Sequence, residues 1–296
     1  MKMILIGYFL FPLFIAAQVT GSLTKNNAAP GDNKPGSEYR KPKFFSFVTD
    51  IPSHAAGFTR QSFQKKNLKY HVAICLSTAM LYWADQSITN AVQDKMKDWN
   101  ISAAEQFSPL LKINIGGEPT NIGKLPKNIN TAIYDIGQGS TVIWLAAGFY
   151  IAGKIKRNNR ALTTASQLTE AFLTLGIGTQ IMKYASGREN PSDATMPRGR
   201  WQPFPGWQDF QQYKTKYDAF PSGHLATFVS AVTIIGENYP EKKWIKPLGY
   251  SIAALCGLSM INNGVHWASD FPLAIALGHG YGKFIARKAR RNIVSL

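Results

Sequence analysis

Apolar residues are concentrated in six stretches of the chain. These stretches are centred near residues 71–88, 132–153, 163–182, 222–236, 246–262 and 270–286. Each is long enough for a helix, and turn signals lie between them. No stretch alternates persuasively between apolar and polar positions with the period of two that marks a half-buried strand. The pattern therefore predicts an all-α protein, a helical bundle of about six main helices.

The first part of the chain has a different pattern. Lys2 is followed by an uncharged apolar core over 4–17 that ends in small residues, Ala16 and Ala17. This is typical of a secretory signal peptide over 1–17, and it implies export to the periplasm or a membrane-associated location. An uncleaved anchor helix is the alternative, although the core is shorter than the roughly 20 residues that a membrane span requires.

Residues 18–43 are rich in Asn, Gly, Pro and Lys. This composition favours a flexible leader or linker, which we assign to 18–67. The remaining residues, 68–296, are predicted to form the helical domain. Cys75 and Cys256 both lie in apolar stretches, so we expect buried thiols and leave their pairing open. No cluster of Cys and His has the spacing of a metal site, and we expect neither a metal nor a cofactor.

The chain carries 33 Lys and Arg against 17 Asp and Glu, a net charge of +16. Such a surface attracts anions, and the sign alone does not choose among lipid headgroups, nucleic acid and phosphorylated metabolites. Basic clusters at 154–160, 242–246 and 283–291 would share one side if the last five helices crossed a membrane. Polar residues such as Asp135 and Glu170 within these stretches favour a soluble or surface-bound bundle instead, and both arrangements stay open.

Residues 116–124 (GGEPTNIGK) look like a phosphate-binding loop at first sight. The glycine spacing is one residue too long, and Leu125 stands where such a loop requires Ser or Thr. We therefore predict an ordinary turn here.

Three other segments carry the candidate chemistry: 183–191 (KYASGRENP), 221–224 (PSGH) and 259–270 (SMINNGVHWASD). The second opens an apolar stretch, where Pro, Ser and Gly favour a helix start. Free backbone N–H groups at such a start form an anion site. His224 stands at its mouth, where it can protonate a leaving oxygen.

His266 and Asp270 are four residues apart, a spacing that places both on one helix face. A carboxylate on one imidazole nitrogen fixes the tautomer and leaves the other nitrogen free to attack. Lys183 and Arg188 follow the stretch 163–182 and could neutralise phosphate oxygens. In an antiparallel up-and-down bundle, the helix ends that carry these residues and His224 meet. The sequence thus predicts an active site at one end of the bundle.

At these residues the chain resembles the type 2 phosphatidic acid phosphatase superfamily, whose pattern is Lys-x6-Arg-Pro, Pro-Ser-Gly-His and Ser-Arg-x5-His-x3-Asp. The resemblance covers roughly residues 130–290. The second motif matches in full, and the third matches in spacing at Ser259, His266 and Asp270. Asn190 and Met260 stand where the family has its two phosphate-holding arginines.

The resemblance implies a metal-independent phosphatase that acts on a phosphomonoester or a lipid phosphate or pyrophosphate. His266 would form a phosphohistidine, Asp270 would orient it, and His224 would protonate the leaving group. The substrate-binding residues that it implies are Lys183, Arg188, Asn190, Ser222, Gly223 and Ser259. The expected partners are a phosphorylated lipid or a small phosphomonoester, with a possible membrane surface and no nucleic acid.

The two missing arginines keep other functions open. One is a non-catalytic descendant that binds an anion or a membrane surface, and another is a vanadate-dependent haloperoxidase using the same pocket. An aromatic and basic loop over 198–220 is either a lid or lipid-facing wall, or simply packs over the bundle. His54, His71 and His279 have no chemical neighbour at useful spacing, so we expect packed or solvated side chains there.

Overall fold

The computed structural model describes residues 39, 41–115 and 118–294, so the predicted signal peptide lies outside the described residues. Helices dominate this part of the chain, and the predicted all-α class is confirmed. The α-helices are α1 (Ser46–Thr49), α2 (Ile51–Ser62), α3 (Leu68–Asp98), α4 (Ile129–Ile136), α5 (Gly139–Ile155), α6 (Asn159–Ser186), α7 (Trp207–Gln212), α8 (Gly223–Asn238), α9 (Ile245–Asn262) and α10 (Phe271–Val294). Short 3-10 turns occupy Lys65–Asn67, Pro191–Asp193, Lys214–Lys216 and Ala268–Asp270.

The predicted stretches correspond to the long helices, with one division. The stretch 132–153 is split between α4 and α5 at Gly137 and Gln138. A Cβ atom at Gly137 would lie only 3.1 Å from the Cys256 sulfur, so glycine allows this bend to approach α9 closely. The helix therefore ends where the backbone turns against a neighbouring helix.

A β-hairpin corrects the prediction that the chain lacks strands. Strand β1 (Phe107–Ile115) pairs antiparallel with β2 (Glu118–Pro126), in a register that sets Phe107 opposite Pro126. The segment predicted as an ordinary turn thus contributes most of β2. Side-chain alternation marks strands with one buried face, whereas hairpin pairing uses backbone groups, so the periodicity test missed it.

Helices α5, α6, α8 and α10 enclose the main core, which includes Phe149, Leu168, Ile234 and Tyr281. Helix α8 contacts α5, α6, α9 and α10 and lies at the centre of the bundle. A Cβ atom at Gly278 would overlap the carbonyl oxygen of Ala226, so this glycine sets the close approach of α8 and α10. This packing aligns the helix ends on which the candidate site is built.

Residues 46–62 are not the flexible leader that composition predicted. They form α1 and α2, which contact α6, and α2 also contacts α10. The Ser46 and Ser166 hydroxyl oxygens are 3.0 Å apart, and His54 Nδ1 lies 2.6 Å from Glu170 Oε1. Tertiary contacts of this kind order a segment whose own composition does not.

The two cysteines are both free. Cys256 is buried as predicted, whereas Cys75 is exposed on α3 and corrects that expectation. Among the helices that the structure describes, none combines the length and apolarity needed to cross a membrane.

Candidate active site

Helix ends bring the three motif segments together at one end of the bundle. Lys183 lies in the last turn of α6, and the helix stops at Gly187, whose φ of 54° is in the left-handed region. Ser222 caps α8, with its hydroxyl accepting from the Leu225 N–H at 3.4 Å. His266 lies between the end of α9 and the 3-10 turn that leads to Asp270 and α10.

The two histidines of the motifs face each other, with ring centroids 6.3 Å apart. His266 is 1% exposed, and its Nδ1 lies 2.7 Å from the carbonyl oxygen of Ala219 and 3.5 Å from Asp270 Oδ2. A carbonyl oxygen only accepts hydrogen bonds, so Nδ1 carries the proton in the neutral ring. The Nε2 lone pair is then free, and among the described residues this buried nitrogen has no hydrogen-bond partner.

The Ala219 carbonyl was not predicted to orient His266, and its role comes from the loop before α8. The Ala219 N–H donates to the backbone oxygen of Arg188 at 3.0 Å, while its own oxygen accepts from His266. Asp270 thus shares the orientation of the imidazole with a backbone carbonyl. Its Oδ2 also accepts from the Trp267 N–H at 2.7 Å.

His224 lies in a site that disfavours its charged form. Burial lowers its pKa to about 3, and the positive charge of Lys183, together with that of His266 whenever its ring is protonated, adds to the effect. Its Nδ1 is buried and has no hydrogen-bond partner in the part of the chain that the structure describes, and the centroid of the Tyr134 ring lies 5.7 Å from that of the imidazole, edge to face. The imidazole is therefore neutral near pH 7 when the site holds no anion.

A buried ionic network lies behind the histidines. Arg188 Nη1 donates to Asp270 Oδ1 at 2.5 Å and to Ser269 Oγ at 2.7 Å, and its Nη2 donates to Asp85 Oδ2 at 2.7 Å. Asp85 accepts further from the Ser269 N–H at 2.9 Å and from its hydroxyl at 2.5 Å. All three charged side chains are fully buried. The network fixes Asp270, and with it the surroundings of His266.

Sequence reasoning missed Asp85 because it lies on α3, far from the motif segments. The available signal is that Asp85 is the one acidic residue in the apolar stretch 71–88. Burial raises the pKa of Asp85, and hydrogen bonds from Ser269 and Arg188 oppose this shift. An acidic residue in such a stretch is costly unless a partner is present.

Arg188 has different contacts from those predicted for a phosphate ligand. Both of its Nη atoms donate to protein acceptors, including the carbonyl of Arg198 at 3.0 Å. The rings of Trp201 and Trp267 lie 4.9 and 5.5 Å from its Cζ atom. The guanidinium is thus held between carboxylates and aromatic rings.

Lys183 is buried, and its Nζ lies 3.5 Å from Asp218 Oδ2. Asn190 is also buried; its N–H donates to Thr215, whereas its side-chain oxygen has no partner. Ser259 does not face the histidines, because its hydroxyl donates to the Asn130 carbonyl at 2.9 Å. Of the predicted binding residues, Lys183 and Asn190 therefore lie at the site, whereas Ser259 contributes to the packing around it.

Met260, at a position where the family pattern has arginine, is completely buried. It packs with Tyr134 and Cys256, and the Ser222 hydroxyl lies 3.7 Å from its sulfur. Gly223 opens α8 beside Thr179, whose Oγ1 would be 3.0 Å from a Cβ atom there. This wall of the site is apolar and tightly packed.

The loop between the first two motifs is partly packed and partly exposed. Tyr184 makes edge contacts with the rings of Phe204, Trp207 and Phe210. Phe210 is buried, whereas Phe204 and Trp207 are 67% and 62% exposed. The buried Phe210 agrees with a packing role for this loop, and the exposed Phe204 and Trp207 agree with a lipid-facing role.

Comparison with known proteins agrees with the motif resemblance. Residues 164–293 match the model of the PAP2 superfamily, so this part of the chain is similar to that superfamily. The match includes both histidines and the Arg188–Asp270 pair.

The chain is also similar to lipid A 1-phosphatase from Porphyromonas gingivalis, with 37% identity over 65 residues. The aligned region is 22% of this chain and 15% of the relative, so the chain spans only a small part of that protein. No solved structure matches the chain significantly. Both similarities agree with the superfamily that the motifs predict.

Proposed function

We propose that the chain is a phosphatase that hydrolyses a phosphomonoester or a lipid phosphate or pyrophosphate through a phosphohistidine on His266. The observation that carries this proposal is the buried, unpartnered Nε2 of His266, facing a second histidine across 6.3 Å. A buried imidazole nitrogen whose lone pair is free, beside a second titratable side chain, is the arrangement that a nucleophile and a general acid require.

In the first step, Nε2 of His266 attacks phosphorus, the P–N bond forms, and the bond from phosphorus to the leaving oxygen breaks. The imidazole becomes positive, because Nδ1 keeps its proton. The Ala219 carbonyl and Asp270 stabilise this charge from the Nδ1 side. No metal takes part in these steps.

His224 supplies the proton for the leaving oxygen. It is neutral in the empty site, since its pKa is about 3. A phosphate dianion between the two imidazoles would raise that pKa, because an adjacent negative charge favours the charged ring. Binding of the substrate therefore favours protonation of His224, the general acid. In the second step His224 takes a proton from water, which attacks phosphorus and releases inorganic phosphate and His266.

The remaining groups hold the phosphate and the histidines. Lys183 and the N-terminus of α8, with Ser222 and Gly223, bind the non-bridging oxygens. Asn190 binds through its side-chain amide. Asp85 and Arg188 act as positioning residues, since they touch Asp270 and Ser269 rather than the reacting atoms.

The substrate we favour is a phosphorylated lipid, and the exported protein would act in the periplasm or at a membrane surface. Two observations support this choice: the similarity to a lipid A 1-phosphatase, and the exposed Phe204 and Trp207 in the loop between the first two motifs. Aromatic side chains of this kind suit the boundary of a lipid headgroup layer.

The test is phosphate release by the purified protein in EDTA, with p-nitrophenyl phosphate, phosphatidic acid and lipid A as substrates. His266→Ala should abolish turnover. His279→Ala is the matched control, because this histidine contacts Tyr250 instead of the site. Turnover with an acid-labile phosphoryl group on His266 supports the proposal. A folded wild type that binds phosphate without turnover would replace it by the non-catalytic anion binder that Asn190 and Met260 favour.

A further inference from the structure

A second cavity lies between α5, α6 and the segment 41–47, with a volume of about 640 Å³. This size is within the range of roughly 300–1,000 Å³ that small-molecule sites occupy. Its walls are mainly apolar and include Phe47, Val142, Leu168 and Phe172. An acyl chain is the kind of group that such walls bury favourably.

The cavity is separate from the histidine site. Its lining residues on α6 fall between Leu162 and Phe172, whereas Lys183 is 11 or more residues further along the same helix. At 1.5 Å per residue, this places the cavity about 16 Å or more from Lys183 along the helix axis.

The charged side chains that line the cavity are all lysines: Lys41, Lys43 and Lys154. In the part of the chain that the structure describes, no carboxylate lies within 4 Å of their ammonium groups. Lys154 is instead 5.4 Å from the centre of the Tyr150 ring. By contrast, two other basic residues near this end of the bundle are paired, Arg160 with Glu241 and Lys246 with Glu237. Within the described residues, the cavity therefore has positive charge that no paired carboxylate neutralises, and it is complementary to an anion.

The cavity opens near the end of the bundle where other basic residues are also concentrated. The turn between α5 and α6, the start of α9 and the last turns of α10 all lie at the end opposite the histidines, because these helices alternate in direction. They carry the basic clusters of 154–160, 242–246 and 283–288. The apolar surface of the cavity walls is exposed at Phe44 and Ile143 and continues outside the cavity on Ile151; these side chains are 68%, 51% and 51% exposed. A lipid surface fits both features, an apolar rim and a basic end.

We propose that this cavity binds an anionic phospholipid from a bilayer, with one acyl chain between α5 and α6 and the phosphate on Lys41, Lys43 and Lys154. Basic pockets between helices bind anionic headgroups in the same way. The site is independent of the proposed phosphatase reaction: it would hold a lipid that is bound and not hydrolysed.

The test is photo-crosslinking of the full chain to phosphatidylglycerol that carries a diazirine on its acyl chain, in phosphatidylcholine vesicles. Labelling should map to peptides within 142–172, and diazirine-labelled phosphatidylcholine should give at least fivefold less. Ala147→Trp, which fills the cavity, should reduce the labelling about tenfold. Labelling that maps elsewhere, as expected if another part of the chain occupies the cavity, would overturn the proposal.

A charge-matched pair of variants tests the lysines. Lys41→Gln/Lys43→Gln/Lys154→Gln should lower the labelling about fivefold. Lys65→Gln/Lys66→Gln/Lys69→Gln removes three exposed charges outside the cavity and should leave labelling within twofold of wild type. Equal losses in both triple variants would show general electrostatic attraction and no site. Hydrolysis of p-nitrophenyl phosphate, measured alongside, should be unchanged in every variant, which separates this site from the histidine site and checks the fold.

Discussion

Arg188 binds Asp270 through a buried salt bridge, with 2.5 Å between Nη1 and Oδ1. The two residues are 82 positions apart, and Asp270 lies 3.5 Å from the imidazole of His266. The backbone oxygen of Arg188 also holds Ala219, the second acceptor near that imidazole. Arg188 therefore controls both groups that orient the proposed nucleophile.

Breaking the ionic network should cost stability in a predictable order. Arg188→Gln leaves Asp85 and Asp270 buried without a counter-charge, so we expect a loss of about 3–5 kcal/mol. Asp85→Asn leaves the Arg188–Asp270 pair intact and loses hydrogen bonds, so about 1–3 kcal/mol is expected. Urea unfolding of the two single variants and the double variant measures this. The double variant should cost less than the sum of the singles, and strict additivity would show that the network is not coupled.

The activity of Asp85→Asn checks the positioning role. We expect kcat to fall with little change in KM, because Asp85 contacts neither phosphate nor the reacting nitrogen. The substitution Ser77→Ala on the same helix is the control, since the Ser77 hydroxyl donates to the Ile74 carbonyl outside the network. An Asp85→Asn enzyme with normal kcat would remove Asp85 from the mechanism.

His224 should make the fold sensitive to acid. Its pKa is about 3 in the folded protein and about 6.5 in the unfolded chain, so the unfolded state binds the proton more tightly. The free energy of unfolding therefore keeps its full value with respect to His224 above pH 6.5, and it falls as the pH decreases toward 3. At pH 4.5 the loss is on the order of 2–3 kcal/mol.

The measurement is the free energy of unfolding from pH 8 to 4.5 for wild type and His224→Asn. The variant should have a flatter pH dependence, by about the loss just given. Parallel curves for the two proteins would show that His224 titrates normally in the folded state. His71→Asn is a suitable control, because His71 lies on α3 against Phe63 and the Ser62 carbonyl.

Anion binding at the site should take up a proton. A dianion between the imidazoles raises the pKa of His224, so affinity should increase as the pH falls. Tungstate is a suitable probe because it stays deprotonated near pH 7. Titration calorimetry in two buffers with different ionisation enthalpies should give an uptake approaching one proton, and His224→Gln should abolish it. Equal heats in both buffers for wild type would contradict the proposed protonation of His224 on anion binding.

Met260 is a core residue in this structure, and its substitutions should behave accordingly. Met260→Ala should lower stability by about 2–5 kcal/mol, because it leaves a cavity beside Tyr134 and Cys256. Met260→Leu nearly conserves volume and should cost less than about 1.5 kcal/mol. Thermal or urea unfolding of the two variants and the wild type measures these losses of stability. A neutral Met260→Ala would mean that this wall is loosely packed.

Gly187 should tolerate no side chain. Its φ is 54°, and a Cβ atom would overlap the carbonyl oxygen of Gln202. Gly187→Ala should therefore displace Arg188 and reduce both stability and turnover. Gly176→Ala on the same helix is the control, because no atom lies within 4 Å of the added Cβ atom there. Similar behaviour of the two variants would contradict the tight turn.

The amino-acid sequence sufficed to predict the long helices of the bundle and the end at which the motif residues meet. Apolar stretches indicate helices because each stretch is a local pattern, and the helix start at Ser222 follows from residue type. The alternation of helix direction then puts His224 and His266 at one end. The motif spacing also sufficed to predict the superfamily, which the comparison with known proteins confirms.

The partners of these residues depend on tertiary packing and could not be predicted from the sequence. Asp85 reaches Arg188 across 103 positions, and the Ala219 carbonyl takes a place that was predicted for Asp270 alone. The burial of Met260, the exposure of Cys75 and the ordering of 46–62 also depend on which faces the helices turn toward each other. Such pairings join groups that are distant in sequence, and no local pattern in either segment records the other.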